Sequence, residues 1–474
     1  MNNLVLYLIL CLVVGRGRVT GEEWRCADCQ HITSVKARIL NQLGLPASSF
    51  ASYDIVWPVL PYRHKRTFLD DPFYPEAEHF MSMSLFGRRL TAYLNPSNIT
   101  SSSACFFRGR VETCEREQCT IGKAAVSDCS DRGIFGYFQV DNDGVALSPL
   151  PSVIATASQD AIGGHLAKLI EPLQMWDDIP AIEAYVKEQN DKQQRERNHF
   201  LPTFKYSPLL DAFFPLPLPA RYSTLSAPDM ELSTKETGQI EIKLRIFVDK
   251  DMVDILDKKY GDVSSEQLTS VLSAINAVQT IYDDTSLGPV GVRLSVEEVA
   301  FEREGEAQSL QLGDGNAEEY LTAFCNGQDS LLTAQADVTM ALTGLDLYGL
   351  LNNINKDKVY SGLAFKNNKI YGVTGLSYTG GACRQNRNCM VVEFRKEMEN
   401  VETIAHELGH ALGMNHDGTN NDCDSFAGKI MSLSVVRQRS GWSTCSAESF
   451  QSFLQKRGSC LLKINQGPSR KISQ

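Results

Sequence analysis

The protein is 474 residues long, enough for more than one domain and for a large buried core. Apolar residues make up 43% and charged residues 22% of the chain, which excludes wholly disordered, collagen-like and polytopic membrane proteins. Acidic residues outnumber basic residues by 57 to 46, and the formal net charge of -11 gives no electrostatic reason to expect a nucleic acid partner.

An apolar run with the length of a secretory signal core begins at Leu4, and it is too short to cross a bilayer. Small residues follow it. Val19 and Gly21 suit the small-residue positions of a cleavage site, although cleavage after Gly15 would also fit. We therefore predict a signal peptide at residues 1–21 and a secreted, extracellular protein. No second long apolar run follows, so we expect no membrane anchor.

The cysteines fall into two groups. Once the signal peptide and its Cys11 are removed, six cysteines lie between Cys26 and Cys129 and six between Cys325 and Cys460. Both groups are even in number, as pairing within two separate domains requires. An extracellular destination favours disulfides over free thiols.

The region from 106 to 151 contains short apolar stretches separated by Gly and Asp. Residues 133–140, followed by Asp141-Asn142-Asp143-Gly144, have the pattern of a β-hairpin, so we expect a β-rich domain here. Just before it, Asn98 in Asn98-Ile99-Thr100 is the one usable acceptor for an N-linked glycan, because a proline follows Asn95.

A stretch of different composition separates the two cysteine groups. A charged run at 187–197 is followed by alternating prolines between Phe214 and Pro219. Prolines remove backbone donors and favour an extended chain, so this stretch is predicted to be an interdomain linker. We place the linker at 196–237, between one domain at 22–195 and another at 238–474.

Strands and helices are predicted to alternate after the linker. Residues 240–248 and 290–299 alternate apolar and polar side chains, which indicates strands with one buried face. Residues 265–282 carry apolar side chains at helical spacing from Leu268 onward, and 317–324 is a second helix candidate. This order predicts a mixed sheet with helices packed on it, an α/β or α+β domain.

Two histidines, His406 and His410, stand four residues apart in an apolar, helix-favouring context. This spacing places both imidazoles on one face of a helix, where they can share a metal ion. Glu407 lies beside the first and can accept a proton from water. Gly413 can end the helix with a positive φ, so that His416 returns as a third ligand. Three histidines leave a fourth zinc position open, as a catalytic site requires.

The two helical histidines could instead be a hydrogen-bonded pair with only a structural role, because a bare H-E-x-x-H pattern has false positives. The distribution of histidine favours the metal site. Of the eight histidines in the chain, the three that follow the linker are the three in this pattern.

His406-Glu407-x-x-His410-x-x-Gly413-x-x-His416 resembles the metzincin zinc endopeptidases, and Asp417 after the third histidine is similar to the reprolysin (adamalysin) branch. Metzincins also have a methionine-containing turn beneath the metal, and Met431 fits that position. The resemblance implies one catalytic Zn²⁺, with Glu407 as the general base.

Further segments are most similar to the ADAMTS branch of this family, with arthropod salivary and venom metalloproteases close behind. In the catalytic region they are Phe324-Cys325, the segment from Cys383 to Cys389, and the segment from Trp442 to Ala447. In the N-terminal region they are Cys105 to Val111 and residues 124–151, which resemble the propeptides of the same group. The implied fold is a metzincin catalytic domain with a mixed, mostly parallel twisted sheet, preceded by a β-rich propeptide.

The resemblance also implies a substrate site and a disulfide pattern. Gly375-Leu376-Ser377 is expected to be the sheet edge that pairs with an extended substrate. Spacing alone leaves fifteen pairings open for six cysteines. The ADAMTS branch implies Cys325 with Cys389, Cys383 with Cys460, and Cys423 with Cys445.

Two features depart from the family pattern. Asp337 matches one position of the family's calcium site, but Lys463 stands where Asn or Asp is usual, which makes a structural Ca²⁺ doubtful. No Arg-x-Lys/Arg-Arg site precedes the catalytic domain. Arg195-Glu196-Arg197 and Arg221 remain as weaker candidates for processing.

The sequence therefore predicts a secreted, monomeric zinc endopeptidase made as a zymogen, acting on extracellular proteins or peptides, with its own propeptide as inhibitor. Residues 130–237 contain no cysteine, so latency is expected from occlusion of the cleft rather than from a thiol on the metal. One alternative is a non-catalytic zinc-binding toxin or interaction protein on the same scaffold. A second is a precursor whose propeptide is the functional product.

Overall fold

A computed structural model describes residues 26–45, 51–59, 79–100, 105–115, 118–140, 143–156, 159–170, 239–261, 264–303, 312–350, 364–366, 369–394, 397–425, 427–432 and 440–461. The predicted signal peptide at 1–21 and linker at 196–237 lie outside these ranges. None of the helices in the described ranges is both long and apolar enough to span a membrane.

The chain forms two compact units, and neither is a continuous stretch of sequence. The first unit comprises Met1–Ser97, Ala104–Glu171 and Lys259–Ala277, and the second comprises Asn98–Ser103, Pro172–Lys258 and Val278–Gln474.

The first unit is built on an eight-stranded antiparallel sheet with the order β1-β8-β7-β6-β5-β4-β3-β2. Its strands are β1 (Tyr53–Val56), β2 (His79–Leu85), β3 (Arg88–Pro96), β4 (Phe106–Glu115), β5 (Gln118–Ser130), β6 (Gly133–Val140), β7 (Asp143–Pro149) and β8 (His165–Leu169). Helix α1 (Cys26–Gln42) precedes them, and the short α2 (Ser152–Ala155) lies between β7 and β8. The predicted hairpin is formed by β6 and β7, which pair in antiparallel register.

Alternation of side chains explains the core of this sheet. Leu90, Ala92 and Leu94 of β3 are buried, because successive side chains of a strand point to opposite faces and every second one reaches the core. The buried set includes Met81, Ala92, Val111, Phe138 and Leu147. Two disulfides reinforce the sheet, Cys105–Cys129 and Cys114–Cys119, and the second joins register partners of β4 and β5.

The second unit has the mixed α+β architecture expected after the linker. A five-stranded sheet has the order β10-β9-β11-β16-β15, and a small sheet has the order β12-β14-β13. The strands are β9 (Gln239–Val248), β10 (Gly291–Phe301), β11 (Val338–Thr343), β12 (Tyr348–Leu350), β13 (Ala364–Lys366), β14 (Lys369–Tyr371), β15 (Gly375–Ser377) and β16 (Cys389–Glu393). In the five-stranded sheet the β10-β9, β9-β11 and β11-β16 pairs are parallel, whereas β15 runs antiparallel to β16.

Helices α3 (Lys250–Tyr260) and α4 (Ser264–Tyr282) each contribute residues to both units, and the second unit also contains α5 (Ala317–Leu331), α6 (Val401–Ala411) and α7 (Thr444–Lys456). Helix α5 begins where predicted, after the N-cap Asn316, but continues past residue 324 because its buried stripe extends through Cys325 to Gln328. Leu268 of α4 was expected on the buried apolar face but is 37% exposed. The neighbouring Gln267 and Ser270 are buried in its place.

Three disulfides lie in the second unit, and they are the pairs implied by the family resemblance: Cys325–Cys389, Cys383–Cys460 and Cys423–Cys445. The first ties helix α5 to strand β16. The third ties the loop after the third histidine to helix α7.

Candidate metal centre

Helix α6 carries the H-E-x-x-H pattern, and every residue from Thr403 to Ala411 is buried. The helix ends where Gly413 adopts a φ of 88°, a conformation that favours glycine. The Gly413 amide donates to the His410 carbonyl at 2.8 Å, and the Met414 amide donates to the Gly409 carbonyl at 3.0 Å. A Cβ at position 413 would lie 2.9 Å from the Phe453 Cβ atom, so the turn has no room for a side chain.

This turn brings the third histidine back to the first two. The Nε2 atom of His416 lies 3.1 Å from Nε2 of His406 and 3.1 Å from Nε2 of His410. All three side chains are buried, with 6% exposure or less. The structure therefore brings the three predicted ligand residues together at a single point.

Backbone carbonyls orient two of the rings. His406 donates from Nδ1 to the Ile430 carbonyl at 2.6 Å, and His410 donates from Nδ1 to the Met414 carbonyl at 2.8 Å. With the proton on Nδ1, the lone pair of each Nε2 atom faces the shared point. Neutral imidazoles of this tautomer are metal ligands.

The donor set fits zinc. A tetrahedral Zn²⁺ with bonds of about 2.1 Å places its nitrogen ligands about 3.4 Å apart, close to the spacing of the three Nε2 atoms. Among the described residues, these three histidines form one of two groups of possible metal ligands. Three protein ligands leave one tetrahedral position for water or substrate.

Glu407 and the predicted substrate edge lie side by side. Glu407 is fully buried, and a Cβ added to Gly375 would lie 2.7 Å from both Cγ and Oε1 of Glu407. Gly375, Leu376 and Ser377 form β15, the end strand of the five-stranded sheet. The absence of a side chain at position 375 therefore lets the carboxylate approach the backbone of this strand.

Met431 lies against helix α6, and it is fully buried. A Cβ on Gly409, between the two helical histidines, would be 2.8 Å from the Met431 sulfur. The preceding residue, Ile430, supplies the carbonyl that orients His406. This turn thus both packs beneath the histidines and fixes one of their tautomers.

Sequence reasoning used Asp417 only as a marker of the family branch, and the structure shows what this residue contacts. Its carboxylate is fully buried and accepts a hydrogen bond from the Ser443 hydroxyl at 2.5 Å. The Ser443 hydroxyl also caps α7 by accepting from the Ser446 amide at 3.0 Å. The Asp417 amide donates to the Met431 carbonyl at 2.9 Å. Asp417 therefore links the third histidine to the methionine turn and to α7.

Tyr282 is a second residue that sequence reasoning missed. Its hydroxyl donates to the Ala405 carbonyl of α6 at 3.0 Å, and its ring lies 5.0 Å from the Trp442 ring. Complete burial raises the pKa of the Tyr282 hydroxyl well above its usual value. A tyrosine at the end of an amphipathic helix gives no sequence signal for this contact.

The second group of possible ligands consists of Asp337, Cys383 and Cys460. The two cysteines are joined in a disulfide, and Asp337 accepts a hydrogen bond from the Lys243 amide at 2.8 Å. Residue 463, on which the calcium expectation depends, lies outside the described residues. The expectation that a structural Ca²⁺ is doubtful therefore stays a prediction. Asn98, the predicted glycan acceptor, is exposed.

Comparisons with known proteins point to one family. Residues 349–465 match the sequence model of the Reprolysin (M12B) family zinc metalloproteases. The Homo sapiens protein named a disintegrin and metalloproteinase with thrombospondin motifs 6 is 34% identical over 207 residues, which cover 42% of this chain and 18% of that protein. The Mus musculus relatives numbered 18 and 7 in the same series are 24% and 26% identical, and they match 78% and 96% of this chain. The chain spans only 32% and 26% of the length of those two relatives.

Proposed function

We propose that this chain is a member of the reprolysin family of zinc metalloproteases, most like the branch with thrombospondin motifs, and that it is a secreted zinc endopeptidase made as a zymogen. The observation that carries the proposal is the convergence of three buried Nε2 atoms beside the buried carboxylate of Glu407. The substrates would be extracellular proteins or peptides.

The residues of the metal centre have separate roles in peptide hydrolysis. Zinc, when bound by His406, His410 and His416, supplies a Lewis acid for the attack of water on a peptide carbonyl. Glu407 accepts the proton of the attacking water and later delivers it to the leaving amine. The carbonyls of Ile430 and Met414 hold the histidine lone pairs toward the metal, since both Nδ1 atoms are engaged as donors.

Strand β15 is the proposed substrate platform. It is the end strand of its sheet and follows the small sheet directly in sequence. An extended peptide can add to such an edge through backbone hydrogen bonds, so recognition would depend on the backbone more than on side chains. Because Gly375 lies against Glu407, a peptide paired with β15 would present its carbonyl groups near that carboxylate.

The N-terminal segment predicted to be the propeptide, residues 22–195, is proposed to act as an inhibitor without a thiol switch. Four of its cysteines, Cys105, Cys114, Cys119 and Cys129, are disulfide-bonded, and residues 130–237 contain none. A mercurial or alkylating reagent should therefore leave the intact zymogen inactive. Activation by such a reagent would contradict this part of the proposal.

Hydrolysis itself separates the proposal from its main alternative, a zinc-binding protein without catalysis. The chain cut in the linker and diluted until the N-terminal segment dissociates should cleave a quenched fluorescent peptide, lose this activity in a chelator, and regain it when Zn²⁺ is restored. The matched control is Glu407→Gln, which keeps all three histidines. A cut chain freed of its N-terminal segment that binds one zinc ion per molecule and cleaves no peptide in a broad substrate library would favour the non-catalytic alternative.

A further inference from the structure

The first unit contains residues from both sides of the predicted linker. It includes Lys259–Ala277, and thus the first fourteen residues of α4, together with the eight-stranded sheet. Polar side chains in this part of the helix are almost fully buried: Glu266, Gln267, Ser270, Ser273 and Asn276 are all 4% exposed or less. On an isolated surface helix such side chains would face water.

Within the first unit, two of these side chains bind the sheet directly. The Ser130 hydroxyl, at the end of β5, donates to Oε2 of Glu266 at 2.6 Å. The Asn276 amide donates to the Phe107 carbonyl at 3.0 Å and to the Val126 carbonyl at 3.2 Å. Phe107 and Val126 are register partners on β4 and β5, so one amide spans two paired strands.

An aromatic contact adds to the polar ones. The Phe135 ring of β6 lies 5.9 Å from the Tyr260 ring, edge to face. Tyr260 is the last residue of α3, whereas Glu266 and Asn276 stand ten positions apart on α4. The attachment of this segment to the sheet is therefore distributed, and it does not depend on a single side chain.

The polar side chains on the buried side of α4 suit a partner that associates reversibly. Glu266, Ser270, Ser273 and Asn276 follow one another at spacings of three and four residues and so lie on one side of α4, which we name the α4 polar face. Its two serines donate to carbonyls of their own helix, Ser270 to Gln267 at 3.0 Å and Ser273 to Thr269 at 2.6 Å. These hydroxyls remain satisfied whether or not the sheet is present. Polar contact surfaces of this kind are typical of transient associations.

We propose that the α4 polar face is a docking surface for the N-terminal segment at residues 26–170 and holds it noncovalently after the chain is cut in the linker. The cut hydrolyses one peptide bond and breaks none of the contacts described above. Departure of the segment would expose a helix side that water can solvate. This inference concerns association alone and does not require the proposed peptidase activity.

The test uses the secreted full chain with a recognition sequence for a site-specific protease inserted within 196–237. After cutting, the two fragments should elute together from a size-exclusion column at micromolar concentration under native conditions. Ser130→Ala and Asn276→Ala should each weaken this association by about tenfold to a hundredfold, because each leaves buried polar groups unpaired. Glu266→Gln keeps an acceptor for Ser130 and should weaken it much less.

Gln279→Ala is the matched control, because it removes an amide one turn further along the same helix. Gln279 bonds to the Val292 carbonyl at 2.8 Å and the Leu294 amide at 2.6 Å, both in the second unit. This variant should lower thermal stability yet leave the fragments together. Separation of the wild-type fragments upon cutting, or equal weakening by Asn276→Ala and Gln279→Ala, would overturn the proposal. If Asn276→Ala is not secreted, Ser130→Ala carries the test, since it removes only a hydroxyl. Because the measurement is elution rather than hydrolysis, failure of the docking proposal can be distinguished from failure of the proposed peptidase activity.

Discussion

Helices α4 and α6 both bury polar side chains, but they arrange them differently. On α6, His406, Glu407 and His410 are joined by His416, and the three Nε2 atoms meet at one point. On α4, Glu266 and Asn276 are ten positions apart and each bonds to a different part of the sheet in its unit. Convergence on a point is what a metal requires, whereas dispersed pairing attaches one element to another. Burial of polar groups alone would not distinguish these two roles.

The strongest contrast should come from the two glutamates. Glu407→Gln should lower peptide hydrolysis by about a hundredfold to ten-thousandfold, because general-base assistance is lost, while zinc content is unchanged. Glu266→Gln should leave the turnover of the cut chain within about twofold of wild type. Initial rates with a fluorescent peptide and metal analysis of both variants would check this. If Glu407→Gln retained more than a few per cent of turnover, its assignment as the base would be wrong.

A second comparison replaces one buried side chain on each helix with alanine. His410→Ala should lose zinc and lower the melting temperature together, because a ligand is removed and a buried cavity remains. Asn276→Ala should lower stability without changing the zinc content. Metal analysis with differential scanning calorimetry would separate them, and a His410→Ala protein with full zinc occupancy would show that His410 is not a ligand.

Contacts between residues close together in the sequence could be predicted from it, whereas contacts between residues far apart in the sequence could not. His406, His410, Gly413 and His416 lie within eleven residues, so helical spacing and one turn were enough to bring them together. The contact of Ser443 with Asp417 spans 26 residues, and that of Tyr282 with Ala405 spans 123. Such contacts depend on tertiary packing that periodicity does not encode.

The α4 polar face shows the same limit. Spacing predicted the helix correctly, since apolar residues recur along it, but assigned Leu268 to the buried side. The structure instead buries Glu266 and Asn276, because another element of the first unit supplies their partners. A pattern of apolar residues finds the side of a helix that faces its own core. It does not reveal a second side covered by polar contacts.

A smaller effect is expected from the disulfide next to the metal centre. Replacing Cys423 and Cys445 with serine opens a loop with a sequence separation of 22 and should cost roughly 3 kcal/mol of unfolding free energy on the chain-entropy model. Because this bond joins the loop after His416 to α7, zinc should also dissociate faster. Denaturant unfolding and chelator-exchange rates would check both effects. The matched control replaces Cys114 and Cys119 of the first unit with serine, and it should leave the zinc exchange rate unchanged.

The smallest expected effect concerns Tyr282, whose hydroxyl donates a hydrogen bond to the backbone of α6. Tyr282→Phe removes its hydrogen bond to the Ala405 carbonyl and should cost about 1 kcal/mol of stability with zinc retained. The pH dependence has a definite sign. Since burial raises the pKa of Tyr282 in the folded protein, the unfolded chain ionises first above about pH 10, and stability falls as pH rises. Tyr282→Phe should therefore lose less stability than wild type at alkaline pH. An unchanged dependence of unfolding free energy on pH would contradict this prediction.

The three histidines and Glu407 are proposed to form one hydrolytic zinc centre. The most direct test is a zinc titration of metal-free protein that has been cut in the linker and diluted until the N-terminal segment dissociates, with peptide hydrolysis followed at each addition. We predict a linear rise in rate that stops at about one equivalent of Zn²⁺ per chain, and a Glu407→Gln protein that binds the same equivalent without hydrolysis. Full activity of wild-type protein without metal, or binding of zinc that is unaffected by loss of His406, His410 or His416, would contradict the account.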